Sequence, residues 1–373
     1  MIRANLSSAF RRTGAKPLLS IAGLILALST SGCGALNTLE AAVAYEKTNA
    51  GYMTTETMVV TAAPVKETAM KGADKFALMS LFSHLTYLKH LAEKERNVED
   101  CSQHIAGHPI NEIDTRGPDA NGAWRRWAGE SGCFSGSGLY YETYVFGKAG
   151  KFSEAVIAFR GTENYGAQIP EDWGTDFSAA LGFDPKEYQE ARSQILRAIN
   201  NLRAENKEVK IYLTGHSLGG GLAQQSAYTM TKEDVSSTYI FNTSPVSNWS
   251  YLYSVKGLIR NDDPEIFRIQ ERGEGLAIPR WVSTRVNFRR FGRSDYEFNF
   301  TKGNPVSEHT MAILACNFAS RILATGKEAK HHFTPDMARK LLTYPINTAG
   351  SGETLCPAGV WPEKNRPSIV KAG

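Results

Sequence analysis

A serine flanked by glycines stands in the run Gly215, His216, Ser217, Leu218 and Gly219. Three apolar residues, at 211–213, stand one position before the run, and two further glycines and a helical pattern follow it. This is GxSxG between a strand and a helix, where a sharp turn projects the serine oxygen above a sheet. Gly215 and Gly219 leave room around the serine on this sharp turn. Leu218 stands at the N-terminus of the following helix, so its N–H points toward a developing oxyanion. The pattern predicts Ser217 as a nucleophile, with His216 as a structural neighbour because adjacent side chains on such a turn point apart.

A serine nucleophile needs a histidine base and a carboxylate that orients it. Around this type of turn the chain order is serine, acid, histidine. Three histidines follow Ser217. His309, just ahead of a helical stretch, is predicted as the base, with a structural histidine at a helix entry as the alternative. His331 and His332 are expected to form a solvated pair.

The motifs upstream of the serine are the most specific part of the sequence. The apolar residues 156–159 lead into Arg160, Gly161, Thr162 and Glu163, and Asp172, Trp173, Asp176 and Phe177 follow. In this order the FRGT run, the DWxxDF segment and the GHSLGG run resemble the class 3 lipases, the family of the fungal triacylglycerol lipases. The resemblance spans roughly residues 74–325.

This resemblance implies an α/β-hydrolase fold, with a mostly parallel central sheet covered by helices on both faces. It also implies an oxyanion hole to which Thr162 gives its hydroxyl and N–H. Thr162 suits that role independently, because it ends a predicted buried strand and offers two donors toward one oxygen. The alternative is an ordinary threonine between a strand and a loop. With Leu218, Thr162 completes the predicted oxyanion hole.

The candidate acids follow the predicted strand 266–270. Related lipases carry an aspartate in the loop after this strand, and Glu274 occupies the matching position, so Glu274 is predicted to orient His309. Glu271 is the second candidate, and its alternative role is a surface salt bridge with Arg268 or Arg272. The remaining options are Asp262, Asp263 or no acid at all.

Short apolar runs alternate with helical patterns, which predicts one α/β domain over residues 73–345. Strands are predicted at 140–146, 155–160, 210–214, 238–242 and 266–270. Helices are predicted after Asp74, where apolar residues recur in helical steps from Phe76, after Asp184 with Pro185 at the first position, and from Thr334 and Pro335 through Leu342. Residues 346–373, rich in Pro, Gly and small residues, are predicted to form a C-terminal tail.

The first 33 residues have the pattern of an export signal. Basic residues up to Lys16 precede an apolar stretch that is short for a membrane span. Ser31, Gly32 and Cys33 then resemble a bacterial lipobox, in which the cysteine is lipidated and becomes the first mature residue. We expect a protein of the bacterial cell envelope, bound to a membrane through a lipid on Cys33 and a tether over residues 34–72. Ordinary signal cleavage and an uncleaved anchor are the alternatives.

Without Cys33 the chain keeps an even number of cysteines, which suits disulfides in an oxidising compartment. Three sets of pairings are open to them. We favour Cys101 with Cys133, which would close a loop rich in Gly, Asp and Asn, and Cys316 with Cys356, which would pin the tail. Four buried thiols are the alternative.

The body of the chain is electrically neutral. Arg3, Arg11, Arg12 and Lys16 account for the whole formal net charge of +4. A neutral body has no field that concentrates phosphate backbones, so no nucleic-acid partner is expected. No HExxH motif, phosphate loop, dinucleotide fingerprint or zinc spacing stands in the sequence, so we expect neither a metal nor an organic cofactor.

Together these residues predict a serine hydrolase of carboxylic esters. By resemblance its substrate is a lipid ester, an acylglycerol or a phospholipid. One alternative is an esterase or thioesterase for small soluble substrates, which the polar loop after Thr162 fits. Another is a catalytically inactive envelope lipoprotein that uses the scaffold for binding, although the presence of Ser217, His309 and Glu274 argues against it. The sequence makes no prediction of the oligomeric state.

Overall fold

The computed structural model describes residues 57–61, 67–88, 108–116, 122–127, 132–134, 139–148, 150–161, 186–246, 264–277, 280, 293–301, 305–345 and 354–357. Helices α1 to α7 comprise Glu67–Leu85, Pro109–Ile113, Lys186–Glu205, Leu218–Thr229, Pro305–Glu308, Met311–Thr325 and Pro335–Thr343. Strands β1 to β9 comprise Thr57–Thr61, Trp124–Arg126, Gly132–Phe134, Leu139–Lys148, Lys151–Phe159, Lys210–His216, Ser237–Phe241, Glu265–Glu271 and Arg293–Asn299.

The strands form one mixed sheet in the order β1-β9-β8-β7-β6-β5-β4-β2, with β3 paired to β4. In this sheet order, every neighbouring pair between β1 at the edge and β5 is parallel. The pairs of β4 with β5, β2 and β3 are antiparallel. Parallel neighbours need a crossover between them, and α3 and α4 lie in two of these connections. The carboxyl ends of the parallel strands therefore meet at one edge, where ligand sites in such sheets lie.

Helices cover both faces of the sheet. Val156 and Ala158 of β5 belong to the hydrophobic cluster that contains residues of α1, α6 and α7. Their neighbours Ala155, Ile157 and Phe159 belong to the cluster that contains residues of α3 and α4. Since side chains alternate between the faces of a strand, β5 is buried on both sides, which explains its continuous apolar sequence. The predicted α/β architecture is confirmed.

The predicted strands and helices are present, with small differences at their ends. The first helix begins at Glu67, seven positions before Asp74. The last helix begins at Pro335, as predicted, and Thr334 caps it by accepting a hydrogen bond from the Met337 N–H. The stretch expected to be a tether contributes strand β1, which pairs with β9. Strands β2, β3 and β9 were not predicted.

The disulfide Cys316–Cys356 joins α6 to the C-terminal segment, as predicted. His84 of α1 donates from Nε2 to the carbonyl of Leu355 at 3.0 Å, which gives this segment a second attachment. Burial lowers the pKa of His84. The predicted disulfide between Cys101 and Cys133 stays a prediction, because Cys101 and the side chain of Cys133 lie outside the described residues. The predicted export signal with Cys33 also lies outside them. None of the described helices is both long and apolar enough to cross a membrane.

Candidate active site

Ser217 lies on the turn between β6 and α4, with φ of 57° and ψ of −127°. This conformation has a positive φ that side chains rarely adopt, so surrounding contacts must hold it. The Ser217 N–H donates to the carbonyl of Phe241 at 3.1 Å. Its carbonyl accepts from the N–H groups of Gly221 at 3.1 Å and Ser244 at 2.9 Å. The end of β7, the loop after it and the first turn of α4 therefore fix the strained turn.

Two glycines allow the close approach that this turn requires. A Cβ on Gly215 would lie 2.3 Å from the carbonyl oxygen of Gly219. A Cβ on Gly219 would lie 2.4 Å from the carbonyl oxygen of Phe159, at the end of β5. Both obstacles are backbone atoms, which cannot rotate away. The start of α4 thus packs directly on the ends of β5 and β6.

The structure brings Ser217, His309 and Glu274 together. His309 lies in the turn between α5 and α6, and its Nε2 is 2.9 Å from Ser217 Oγ. Its Nδ1 is 2.7 Å from Oε2 of Glu274, which follows β8. The same carboxylate oxygen accepts from the N–H of Leu276 at 2.9 Å. The side chain of Glu274 is fully buried, whereas that of His309 is 13% exposed, so the histidine is the member next to solvent.

Burial, and to a smaller extent the positive charge of Arg280, lowers the pKa of His309 to about 3. The imidazole is therefore neutral at neutral pH. Because Glu274 can only accept when ionised, Nδ1 carries the proton and donates it to the carboxylate. Nε2 is then free to accept from the Ser217 hydroxyl. This is the protonation state that a general base needs.

The three residues follow the chain order serine, acid, histidine, and each stands in a loop at the carboxyl edge of the parallel strands. That order, with a strained serine turn between a strand and a helix, is typical of the α/β-hydrolase fold. The sheet order and helix layers described above belong to this fold. The predicted fold class is thereby confirmed.

Behind the acid stands a residue that the sequence analysis missed. Arg280 contacts the second carboxylate oxygen of Glu274 in a buried ion pair. It also donates to the carbonyl of Thr243 at 2.6 Å and to Oε1 of Gln270 at 3.2 Å. Burial lowers the pKa of Arg280 to about 9, so the side chain remains a cation at neutral pH. Its sequence context carries no motif that could have identified it.

Glu271, the second candidate acid, lies elsewhere. Its side chain accepts from the N–H groups of Phe300 at 2.6 Å and Thr301 at 3.0 Å. The alternative of a surface salt bridge is wrong, because Glu271 is only 1% exposed and Arg268 pairs with Asp295 instead. Burial raises the pKa of Glu271 to about 8. Asp262 and Asp263 lie outside the described residues.

His216 has both ring nitrogens engaged away from the serine hydroxyl. Its Nε2 is 2.6 Å from the carbonyl of His309, which can only accept, so Nε2 donates. Its Nδ1 therefore accepts from the hydroxyl of Tyr87 at 2.7 Å. The Tyr87 hydroxyl in turn accepts from the Gly161 N–H at 3.2 Å. Burial lowers the pKa of His216, which keeps the ring neutral, and this bonding fits the structural role predicted for it.

The predicted oxyanion donors are only partly visible. Leu218 is the first residue of α4, directly after Ser217, so its N–H is one of the unpaired donors of a helix N-terminus. Thr162 lies outside the described residues, but Gly161 before it is described. A Cβ on Gly161 would lie 3.0 Å from the Cβ of Ser217. The chain that leads to Thr162 therefore passes directly beside the candidate nucleophile.

The expectation of a solvated histidine pair is wrong for His331. Its side chain is 12% exposed, and its Nδ1 lies 2.8 Å from Oε2 of Glu154 on β5. His332 is 43% exposed and lies 3.3 Å from the same carboxylate, with its ring stacked on Phe146. Because Glu154 stands in the first half of β5 and Gly161 follows its end, this cluster is remote from Ser217.

Within the described ranges, no group of three or more His, Cys, Asp or Glu residues could hold a metal ion.

Part of the chain matches a known protein-family model. Residues 127–248 match a model described as a Tle-like phospholipase domain, which covers strands β3 to β7 and the serine turn. The match spans less than half of the chain and supports a lipid-ester hydrolase in general. Assignment to the class 3 lipases stays a prediction. A comparison with curated proteins finds no match.

Solved structures with some similarity include lipase II from Rhizopus niveus, with a TM-score of 0.34 and 13% identity, over 59% of this chain and 78% of the lipase. A triacylglycerol lipase from Penicillium expansum has a TM-score of 0.37 and 13% identity, over 65% and 84% of the two chains. Brefeldin A esterase, a bacterial homologue of human hormone-sensitive lipase, has a TM-score of 0.30 and 10% identity, over 65% and 81%. Values this low carry no argument about substrate.

Proposed function

We propose that this protein is a serine hydrolase of carboxylic esters that acts through an acyl-Ser217 intermediate. The observation that carries the proposal is the chain of hydrogen bonds from Ser217 Oγ to His309 Nε2 at 2.9 Å and from His309 Nδ1 to Glu274 at 2.7 Å. Structural histidines are common, but one that joins a strained serine to a buried carboxylate has the arrangement of a nucleophile with its base.

In the first step Ser217 Oγ attacks the ester carbonyl while its proton passes to His309 Nε2. The bond to the leaving alcohol then breaks, and the alcohol takes that proton from Nε2. Water repeats the sequence on the acyl-serine: it loses a proton to Nε2, attacks the carbonyl, and Ser217 leaves with the proton. Glu274 holds the imidazole in one tautomer throughout and stabilises the imidazolium that forms in each half.

The negative charge on the tetrahedral oxygen needs donors that are already in place. We assign the Leu218 N–H to this role, because it lies at the N-terminus of α4, together with the N–H and hydroxyl of Thr162. The passage of Gly161 beside Ser217 supports the second assignment.

We infer that the ester belongs to a lipid, an acylglycerol or a phospholipid. The match to a phospholipase-like domain supports this class, and so does the motif resemblance to lipases. We also propose that the chain is exported to the bacterial cell envelope and bound to a membrane through a lipid on Cys33. A tethered enzyme would meet substrates of this class at the membrane surface.

The test is hydrolysis of short- and long-chain p-nitrophenyl esters by the chain from residue 34 onward, compared with its Ser217→Ala variant. We expect the variant to lose activity by about 10⁴-fold or more, because the oxyanion donors alone retain little catalysis. His216→Gln is the matched control, since it changes the preceding residue and leaves the serine hydroxyl in place, and it should retain measurable turnover.

Preference for long chains or phospholipids would support the lipase assignment. Preference for short chains would favour a small-substrate esterase, and activity confined to thioesters a thioesterase. Equal background rates in wild type and Ser217→Ala, with no labelling of Ser217 by a fluorophosphonate, would contradict the proposal and favour an inactive binding scaffold.

A further inference from the structure

Arg280 joins three parts of the fold that meet at the candidate acid. One end of its guanidinium contacts Glu274, in the loop after β8. The other end donates to the carbonyl of Thr243, in the loop after β7, at 2.6 Å. A third hydrogen bond at 3.2 Å reaches Gln270 on β8 itself. The side chain is 5% exposed, so this network lies inside the protein.

A buried network of this kind fixes the carboxylate in space. The guanidinium is a planar fork that contacts its partners in defined directions. One carboxylate oxygen of Glu274 is held by Arg280, and the other is shared by the Leu276 N–H and His309 Nδ1. The Thr243 loop also touches the serine turn, because the neighbouring Ser244 N–H donates to the Ser217 carbonyl. Arg280 thus links the acid to the loop that supports the nucleophile.

The charge balance of the site also requires a cation at this place. A buried carboxylate is costly unless it is paired. His309 is neutral at rest, so it cannot balance Glu274 before the reaction begins. Arg280 is the cation in contact with Glu274 among the described residues.

We propose that Arg280 is a positioning residue of the active site. It holds the Glu274 carboxylate in place and so adds a fourth member to the hydrogen-bonded series Ser217, His309 and Glu274. This inference rests on the proposed function, since it assigns Glu274 the role of orienting the base. Arg280 acts through Glu274 and does not contact the substrate.

The fourth member has a consequence for the base. A fixed positive charge behind Glu274 opposes the positive charge that His309 gains when it takes a proton. Ser217 and Glu274 face the two ring nitrogens of His309, and the neutral ring of His216 stands 4.8 Å away between centroids. The charged groups near Arg280 are Glu274 in contact and Arg268, Asp295 and Glu297 on β8 and β9. Loss of the Arg280 charge should therefore move proton uptake by the Glu274–His309 pair to higher pH.

The experiment measures kcat/KM for a p-nitrophenyl ester between about pH 2 and pH 9 in wild type, Arg280→Met and Arg280→Lys, so that the range includes the acid limb expected from the pKa of His309. We expect Arg280→Met to lower kcat/KM by about 100-fold, mostly in kcat, because a misplaced base costs turnover more than binding. Its acid limb should move up by about one pH unit. Arg280→Lys keeps the charge and loses the fork, so it should lose about 10-fold in rate with the limb near the wild-type position.

The matched control is Arg268→Met. It removes a different ion pair, between Arg268 on β8 and Asp295, and kcat/KM should stay within about twofold of wild type.

The double variant Glu274→Gln/Arg280→Met removes both charges of the buried pair. If Arg280 acts through Glu274, the double variant should be no slower than Glu274→Gln alone. Additive losses, or an acid limb unmoved in Arg280→Met, would overturn the proposal. Should Arg280→Met fail to fold, a folded Arg280→Lys with wild-type rate would overturn it equally.

An NMR titration of the His309 ring in wild type and Arg280→Met separates this inference from the proposed function, because it needs no substrate. His309→Gln identifies the signal. If the wild type hydrolyses no ester, the proposed function is contradicted. If the His309 titration still moves to higher pH in Arg280→Met, the positioning role of Arg280 is supported all the same. An unmoved titration overturns the inference whatever the activity.

Discussion

Glu271 and Glu274 stand three residues apart and are both buried, yet their surroundings differ. Glu274 contacts a cation and a histidine. Glu271 accepts two backbone N–H groups on one oxygen, and its other oxygen has no hydrogen-bond partner among the residues that the structure describes. Burial therefore dominates at Glu271 and raises its pKa from 4.5 to about 8.

The raised pKa predicts a dependence of stability on pH. A carboxyl group with a raised pKa in the folded state contributes stability that is present below pH 4.5 and is lost as pH rises to about 8. Glu271→Gln cannot ionise and keeps the acceptor for Phe300 and Thr301. We expect its free energy of unfolding to exceed that of wild type by at least ~1 kcal/mol above about pH 8, with little difference below about pH 4.5.

Urea denaturation at the two pH values measures this difference. Glu265→Gln, at an exposed position of the same strand, is the control and should show no such dependence. Parallel pH profiles for wild type and Glu271→Gln would contradict the prediction.

At the residue scale, Ser217 and His309 could be predicted from the sequence, because a serine nucleophile with a histidine base restricts both the residue types and their order along the chain. Glu274 was preferred over Glu271 as the acid because it lies in the loop after the predicted strand. Of the two, the structure places Glu274 in contact with His309. Arg280 could not be predicted, because its partners in the loops after β7 and β8 meet only when the sheet has formed.

The serine turn is the element on which the site depends, and its glycines can be ranked by what surrounds them. A Cβ on Gly219 would meet backbone atoms of Phe159 and Arg160. A Cβ on Gly221, in the same helix, would meet the hydroxyl oxygens of Ser244 and Tyr188, which are ends of side chains. Side chains can move aside more easily than the end of a buried strand.

We therefore predict that Gly219→Ala lowers kcat/KM by about 100-fold or more, because the start of α4 must move away from β5 and carry Ser217 with it. Gly221→Ala is the matched variant and should lose about 10-fold or less. Ester hydrolysis by both variants, with circular dichroism to verify folding, measures the contrast. Equal effects of the two substitutions would show that the packing against β5 is not what positions the serine.

Elements with continuous apolar runs were predictable, whereas β1 and β9 at one end of the sheet and β2 and β3 beside β4 at the other were not. Strand β9 has charged and polar residues at alternate positions, and only Tyr296 and Phe298 show a hydrophobic periodicity. Strand β1 is five residues long and lies in a Thr- and Ala-rich stretch that resembles a linker. Each of these strands is specified by pairing with a distant partner, and a local pattern does not contain that information.

At the scale of the molecule, the disulfide Cys316–Cys356 closes a loop across 40 positions and joins the C-terminal segment to α6. Such a link restricts the unfolded chain. We predict that Cys316→Ser/Cys356→Ser lowers the free energy of unfolding by about 3 kcal/mol. Guanidinium denaturation of the double variant and of wild type under oxidising conditions measures this, and identical midpoints would contradict it.

The pairing of β1 with β9 has a consequence for the time course of folding. Synthesis proceeds from the N-terminus at about 5–20 residues per second, so β1 leaves the ribosome roughly tens of seconds before its partner exists. A nascent chain that ends before Arg293 has β8 as an open strand edge, which is a template for pairing with other chains. The sheet is complete only after residues 293–299 have emerged from the ribosome and, under the proposed export, have crossed the membrane. Until then the chain depends on being kept apart from its copies.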